Sequence, residues 1–153
     1  HGWMPPVERA RVWLMWNVLG PAIVRWKGYL AWSLLGMGED LPKGVYRDWR
    51  RWCSYAHYFF DDPDIGATVR EQFDQVRTPI IAVNALDDLW APPASRDAFM
   101  AGYRHAPWQA IDLDPLASGV GSIGHMGYFR RKAQPLWQET LRWFDEHSAG
   151  ARA

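Results

Sequence analysis

Two adjacent carboxylates, Asp87 and Asp88, sit in the stretch Thr78–Pro93, TPIIAVNALDDLWAPP; a histidine, His125, sits further on in Gly124-His125-Met126-Gly127. An acid in the loop after one strand and a histidine in the loop after the next can form an acid–base pair. The ends of adjacent parallel strands converge on one edge of a sheet, and α/β proteins place ligands there. A carboxylate at that edge accepts the imidazole Nδ1–H and leaves Nε2 free to act as a base. Asp88 and His125 have the positions for this. The competing reading is that Asp87 and Asp88 only cap the turn that follows the strand, as aspartates often do. Spacing alone does not separate the two readings.

The elements that must position these residues follow from periodicity and punctuation. Pro79–Asn84 is a continuous apolar run, which suits a strand covered on both faces. Ser95–Tyr103 reads as a helix, Trp108–Leu113 as a second strand, and Asp114–Gly124 as a glycine-rich loop. Lys132–His147 reads as a closing helix with Leu136, Trp137, Thr140, Leu141 and Phe144 on one face. Strand, helix, strand and helix at this spacing predict a right-handed parallel βαβ unit with a final helix. The expected class is therefore α/β, with two parallel strands and flanking helices.

The front of the chain is different. Of eleven tryptophans, seven (Trp3, Trp13, Trp16, Trp26, Trp32, Trp49 and Trp52) precede Cys53. Pro5-Pro6 opens a helix running to about Leu19, with Val7, Arg11, Leu14, Met15 and Val18 at helical spacing. Gly20-Pro21 is expected to end it, and Pro21 to open a short helix to about Lys27. Leu34–Gly44 reads as loop. Val45–Tyr58 reads as a second strong helix, striped by Val45, Trp49, Trp52, Cys53 and Ala56. A turn cluster follows at Asp61–Gly66, and Phe73 and Val76 dock a connecting segment. The boundaries drawn are a helical Trp-rich region at 1–72, an α/β region at 73–148 and a disordered tail at 149–153.

Composition removes several function classes. The 153 residues carry seventeen basic and seventeen acidic side chains, for a formal net charge of zero. Without a basic stripe, nucleic acid is a poor partner, and an anionic membrane surface is too. Val12–Val24 is interrupted by Asn17, Gly20 and Pro21 and is short of the roughly 20 residues a span needs. The single cysteine, Cys53, excludes an internal disulfide and is compatible with a reducing compartment, so a cytoplasmic location is expected. Cys53 is read as packing. His57 with Asp61, Asp62 and Asp64 fits no metal-ligand spacing, and no metal or cofactor is expected. Gly119–Gly124 matches G-x-G-x-x-G in letters, but too little chain follows for a dinucleotide fold. His1, His105 and His147 are read as surface or terminal residues.

Taken together, these motifs resemble a family. Pro79–Pro93 is similar to the acid-bearing loop of α/β-hydrolases: proline, apolar strand, a small-x-x-Asp turn, an apolar pair and proline. Ala85 stands where that turn usually has glycine, and counting on places the acid at Asp88. Gly124-His125 with Met126-Gly127-Tyr128-Phe129 resembles the histidine loop before that fold's last helix. The resemblance covers about Phe73 to Phe144. It implies the C-terminal part of a hydrolase core, with the Trp-rich region as the cap inserted before the acid-bearing strand. It also implies a nucleophile in a G-x-S-x-G turn upstream. Ser33, Ser54, Ser95, Ser118, Ser122 and Ser148 all lack glycines at both flanking positions. Ser122 comes nearest, with Gly124 at plus two and Val120 at minus two.

Two functions of different class follow. The first is part of a serine-type hydrolase of carboxylic esters or related acyl bonds. Here Asp88 orients His125, and the nucleophile lies outside this stretch, so the chain alone is expected to be inactive. The complete protein's partner is then a small-molecule acyl substrate. The second is a non-catalytic interaction module with a Trp-rich helical surface. For the first reading the resemblance implies that Pro79–Asn84 pairs with Trp108–Leu113 on one side and with a strand absent from this stretch on the other, so an open edge, through which copies of the chain can self-associate, is expected.

Overall fold

The computed structural model describes residues 2–36 and 38–149. The protein combines helices with two parallel strands and divides into two compact units, His1–Ala67 and Thr68–Ala153. His1 lies outside the described residues. Of the tail expected at 149–153, Ala149 closes the last helix and the remainder lies outside them.

In the first unit α1 (Pro6–Leu14) continues through a π-helical turn, Met15–Leu19, into α2 (Gly20–Lys27). The break expected at Gly20-Pro21 does not occur. Pro21 has no N–H to give back to the helix, and the π register absorbs the loss. The Gly20 N–H reaches Met15 O. The Trp16 carbonyl, whose π-register donor would have been residue 21, accepts the Tyr46 hydroxyl at 2.6 Å. Gly20 makes this approach fit, since a Cβ there would lie 2.6 Å from Tyr46 Oη.

That contact also decides which face is buried. Val12, Trp16 and Gly20, spaced by four, face inward, whereas Val7, Leu14 and Val18 of the expected stripe are 64%, 48% and 47% exposed. Apolar side chains all round the helix leave the face open. A residue without a side chain sets where the neighbouring element comes closest.

Next, α3 (Lys43–Trp52) opens after Pro42 and stops well short of Tyr58. Tyr58 has φ +56°, which an α-helix cannot hold, and the chain leaves through tight turns at Ser54 and Tyr55. Tyr46, rather than Val45, is its buried residue. The core of this unit is Val12, Trp16, Leu30, Trp32 and Tyr46. Trp16 stacks on Tyr46 at 5.7 Å and meets Trp32 and Trp49 edge-on at 5.7 and 5.0 Å. The segment read as loop, Leu34–Gly44, begins inside a 3-10 turn, Trp32–Leu35, and its Leu41 forms an antiparallel bridge with Leu30. A further helix, α4 (Gly66–Phe73), crosses the boundary at Ala67, lies mostly in the second unit, and occupies the start of the segment read as a connector.

In the second unit β1 (Ile80–Ala85) pairs in parallel with β2 (Trp108–Leu113), Ile80 opposite Trp108 and Ala85 opposite Leu113. Between them lies α5 (Pro93–Met100), which opens with Pro93 in its first turn and ends short of the expected Tyr103. The closing segment begins as a 3-10 stretch, Arg131–Leu136, holding Pro135, and only then becomes α6 (Trp137–Ala149). An α-helix from Lys132 would put Pro135 at a position where its ring and missing N–H disturb the first turns. The shift also turns the inward face: Leu136 and Trp143 are buried, while Leu141 and Phe144 are each 52% exposed. Ala85, Ile111, Leu113, Ile123, Ala133 and Leu136 form the core.

Both α5 and α6 pack against β1. The Ile80 N–H bonds Pro107 O at 3.0 Å and the Leu86 N–H bonds Leu113 O at 2.8 Å. By the alternation of a parallel ladder, the backbone groups of Ile81 and Val83 face the other edge. Among the described residues no strand pairs there.

Candidate active site

The site is built where β1 and β2 end. Just past Ala85 the chain turns sharply, closed by the Asp88 N–H bonding Ala85 O at 3.0 Å. The turn buries Asp88, which is 8% exposed. Its two oxygens have separate tasks. Oδ1 accepts the N–H groups of Trp90 and Ala91 at 2.9 and 3.1 Å, the capping bond expected of an aspartate in a turn. Oδ2 meets His125 Nδ1 at 2.9 Å. One carboxylate thus both caps its own turn and contacts the His125 ring. Asn84 Nδ2 donates to Ala91 O at 2.6 Å and ties the far end of the loop to the strand.

His125 sits in the loop after β2. Gly124 before it has φ +56°, and Gly127 after it is folded so tightly that a Cβ would lie 2.1 Å from Ile123 O. Only glycine fits the second position, and the first favours it. Beyond the histidine, Trp137 Nε1 donates to Tyr128 O at 2.7 Å, and the Tyr128 and Thr140 hydroxyls bond each other at 2.8 Å. The histidine loop is thereby anchored to α6.

An ionised carboxylate can only accept, so Asp88 requires the proton on Nδ1 and leaves the Nε2 lone pair free. The imidazole is 46% exposed, so this nitrogen is accessible while the acid behind it is not. The Trp90 ring lies 5.5 Å from the imidazole, tilted by 37°. Asp88 and His125 open on a cavity of about 450 Å³, whose wall is otherwise mostly apolar (Ile81, Val83, Phe129, Phe144) with Asn84, Tyr128 and Thr140 as its other polar side chains. Among the described residues that line it, the ionisable side chains are Asp88, His125 and the Tyr128 phenol.

Asp87 points elsewhere. Its Oδ2 accepts the Ser122 hydroxyl at 2.7 Å and the N–H groups of Ile123 and Gly124 at 2.7 and 3.0 Å. Burial by itself pushes this carboxyl up; the Gly124, Ser122 and Ile123 donors outweigh it and hold the carboxyl below its ordinary value. A carboxyl depressed on folding adds stability above its unfolded value, near 3.9, and loses it as pH falls through the folded value. The second unit should therefore lose stability below about pH 4. Asp87→Asn should flatten that part of the acid limb, read as the difference between variant and wild-type melting temperatures from pH 6 to pH 2. Parallel acid limbs would contradict it.

The remaining candidates divide differently. Ser122 is committed to Asp87, and among the described residues no serine hydroxyl bonds His125. Cys53 is half-buried, and burial pushes its thiol up, away from thiolate chemistry. His57 Nδ1 pairs with Asp61 at 3.0 Å in an exposed turn. Asp62 accepts from Arg51, Trp52 Nε1 and the N–H groups of Asp64 and Ile65, and so organises that turn. Among the described residues no cluster of His, Cys, Asp and Glu is placed to hold a metal. Gly119–Gly124 opens no helix. His105 bonds Asp74 O at 3.0 Å, and His147 stacks on Trp143 at 4.1 Å. Among the described residues no helix is long and apolar enough to cross a membrane.

The sequence pointed neither to the glycine-loop partners of Asp87 nor to Trp90, Tyr128 and Thr140 as neighbours of the site. The doubled aspartate was a signal, since two adjacent carboxylates seldom serve one cap. Compared with protein-family models, curated proteins and solved structures, the chain gives no match.

Proposed function

We propose that Asp88 and His125 are the acid and base of a serine-type α/β-hydrolase acting on a carboxylic ester or related acyl bond. The observation that carries this reading is the bond from His125 Nδ1 to Asp88 Oδ2, 2.9 Å, with the acid buried and the ring open to the cavity. In this reading His125 Nε2 takes the proton of a serine as its oxygen attacks the acyl carbon. It then returns the proton to the leaving alcohol, and in the second half it activates the water that releases the acid. Asp88 holds the tautomer and stabilises the imidazolium. The serine sits on a strand-to-helix elbow outside these 153 residues. A further strand of the same sheet then lies along the Ile81–Val83 edge of β1, which otherwise invites self-association. The cavity wall suits an uncharged, apolar acyl group.

A fluorophosphonate label tests this on two proteins: the 153-residue chain and a longer reading frame that contains it. The label should attach to a serine of the longer protein and leave the short chain unmodified. Labelling of the short chain at Ser122 would place the nucleophile within it and overturn the assignment. A longer protein that neither labels nor hydrolyses any ester supports the second reading, an interaction module. That alternative is favoured by tryptophans left at the surface of the helical unit, Trp26 at 72% and Trp13 at 52% exposure.

A further inference from the structure

We infer that Asp87 is a positioning residue for the base: its carboxylate clamps the backbone immediately before His125 and so fixes where the imidazole meets Asp88. One oxygen, Oδ2, collects all three donors, the Ser122 hydroxyl and the Ile123 and Gly124 N–H groups, at 2.7, 2.7 and 3.0 Å. These residues are the three that lead directly into His125. The other oxygen, Oδ1, is buried with no protein partner among the described residues, so the hydrogen bonding of this charge goes into one loop. Charge-assisted bonds to backbone N–H groups are the strong class, and three on one atom hold it firmly.

The clamp is long-range, because Asp87 bonds residues 35 to 37 positions away in the chain. Capping of its own turn does not account for such partners, and Asp88 already supplies that cap. The two neighbouring aspartates therefore join the same two loops twice: Asp87 holds the backbone and Asp88 holds the ring. Gly124 at φ +56° and Gly127 give this loop little intrinsic stiffness of side chain, so its position has to be imposed. Lys132 adds a weaker tie, its Nζ donating to Ser122 O at 2.5 Å. A displacement of about 1 Å is enough to spoil a catalytic geometry. The consequence for turnover rests on the hydrolase reading; the placement of the ring does not.

The test therefore uses the 153-residue chain and needs no nucleophile or substrate. Proton NMR reads the His125 Nδ1–H, which the Asp88 carboxylate should protect from exchange in the wild type. Asp87→Ala should speed that exchange by about tenfold or more, as expected when a charge-assisted bond is lost, while the methyl signals of Ile111 and Leu113 stay in place. Asp87→Asn keeps a neutral acceptor of the same size, and should give a smaller acceleration in the same direction. It serves if the alanine variant does not fold. Unchanged protection in the variants that fold overturns the proposal, as does a wild type with no protected Nδ1–H. Failure of fluorophosphonate labelling in the longer protein, with the clamp effect intact, removes the hydrolase reading and leaves the positioning role standing.

Discussion

In a protein that carries the serine, His125→Ala should lower ester turnover by about 10⁴-fold or more, with the loss in kcat and little change in KM. The serine then has no base within reach, and the leaving alkoxide has no acid. Asp88→Asn should cost a comparable factor, up to about 10⁴-fold. That variant is informative because Asp88 uses its oxygens separately. An asparagine keeps a carbonyl for the Trp90 and Ala91 N–H groups, so the turn persists. Its NH₂ then faces His125 Nδ1, which must become an acceptor, and the proton moves to Nε2, where the base is needed. Initial-rate kinetics on short activated esters check both variants. Either one retaining a tenth or more of the wild-type rate would remove the acid–base pair from the reaction.

The second large effect belongs to the helical unit. Trp16→Ala should cost about 3–5 kcal/mol, the range for removing a fully packed aromatic. Trp16 is 7% exposed and touches three other rings, and its carbonyl is the acceptor for the Tyr46 hydroxyl. Against a typical total of about 5–15 kcal/mol, such a loss leaves the unit near its unfolding threshold. Trp49→Ala should cost clearly less, because Trp49 keeps 39% of its surface exposed and meets the core through one edge. Urea midpoints of the two variants settle the order. Equal losses would mean that the Trp16 cluster does not hold the unit together.

Part of this architecture is legible in the residues alone. Ile80–Ala85 is a short, nearly continuous apolar run and Trp108–Leu113 is a short run of mixed apolar and polar residues, and both are bounded by turn formers. The acid and the histidine lie in the loops just beyond those runs, so parallel pairing brings them to one edge. The rule that places sites at the ends of parallel strands therefore pointed to the Asp87-Asp88 pair and His125 from the sequence.

Other features depend on packing between distant segments. Adjacent aspartates in a tight turn point in different directions, and composition cannot say which one reaches the histidine. That was decided by the closure of the turn from Asp88 N–H to Ala85 O, and by the glycine loop that came to lie against Asp87. Which face of α1 is buried was hidden for a related reason. Apolar side chains surround that helix, and the choice fell to Gly20, where Tyr46 could come closest. The same hydroxyl bonds the carbonyl that Pro21 leaves without its π-register donor, so a local signal for ending a helix was overruled by a residue of a distant segment, 30 positions from the carbonyl it bonds. Local sequence set the strands, the turns and the chemistry available in them. Tertiary structure decided the register of the faces and the separate tasks of the two aspartates, because both depend on which backbone donors distant segments bring within hydrogen-bond reach.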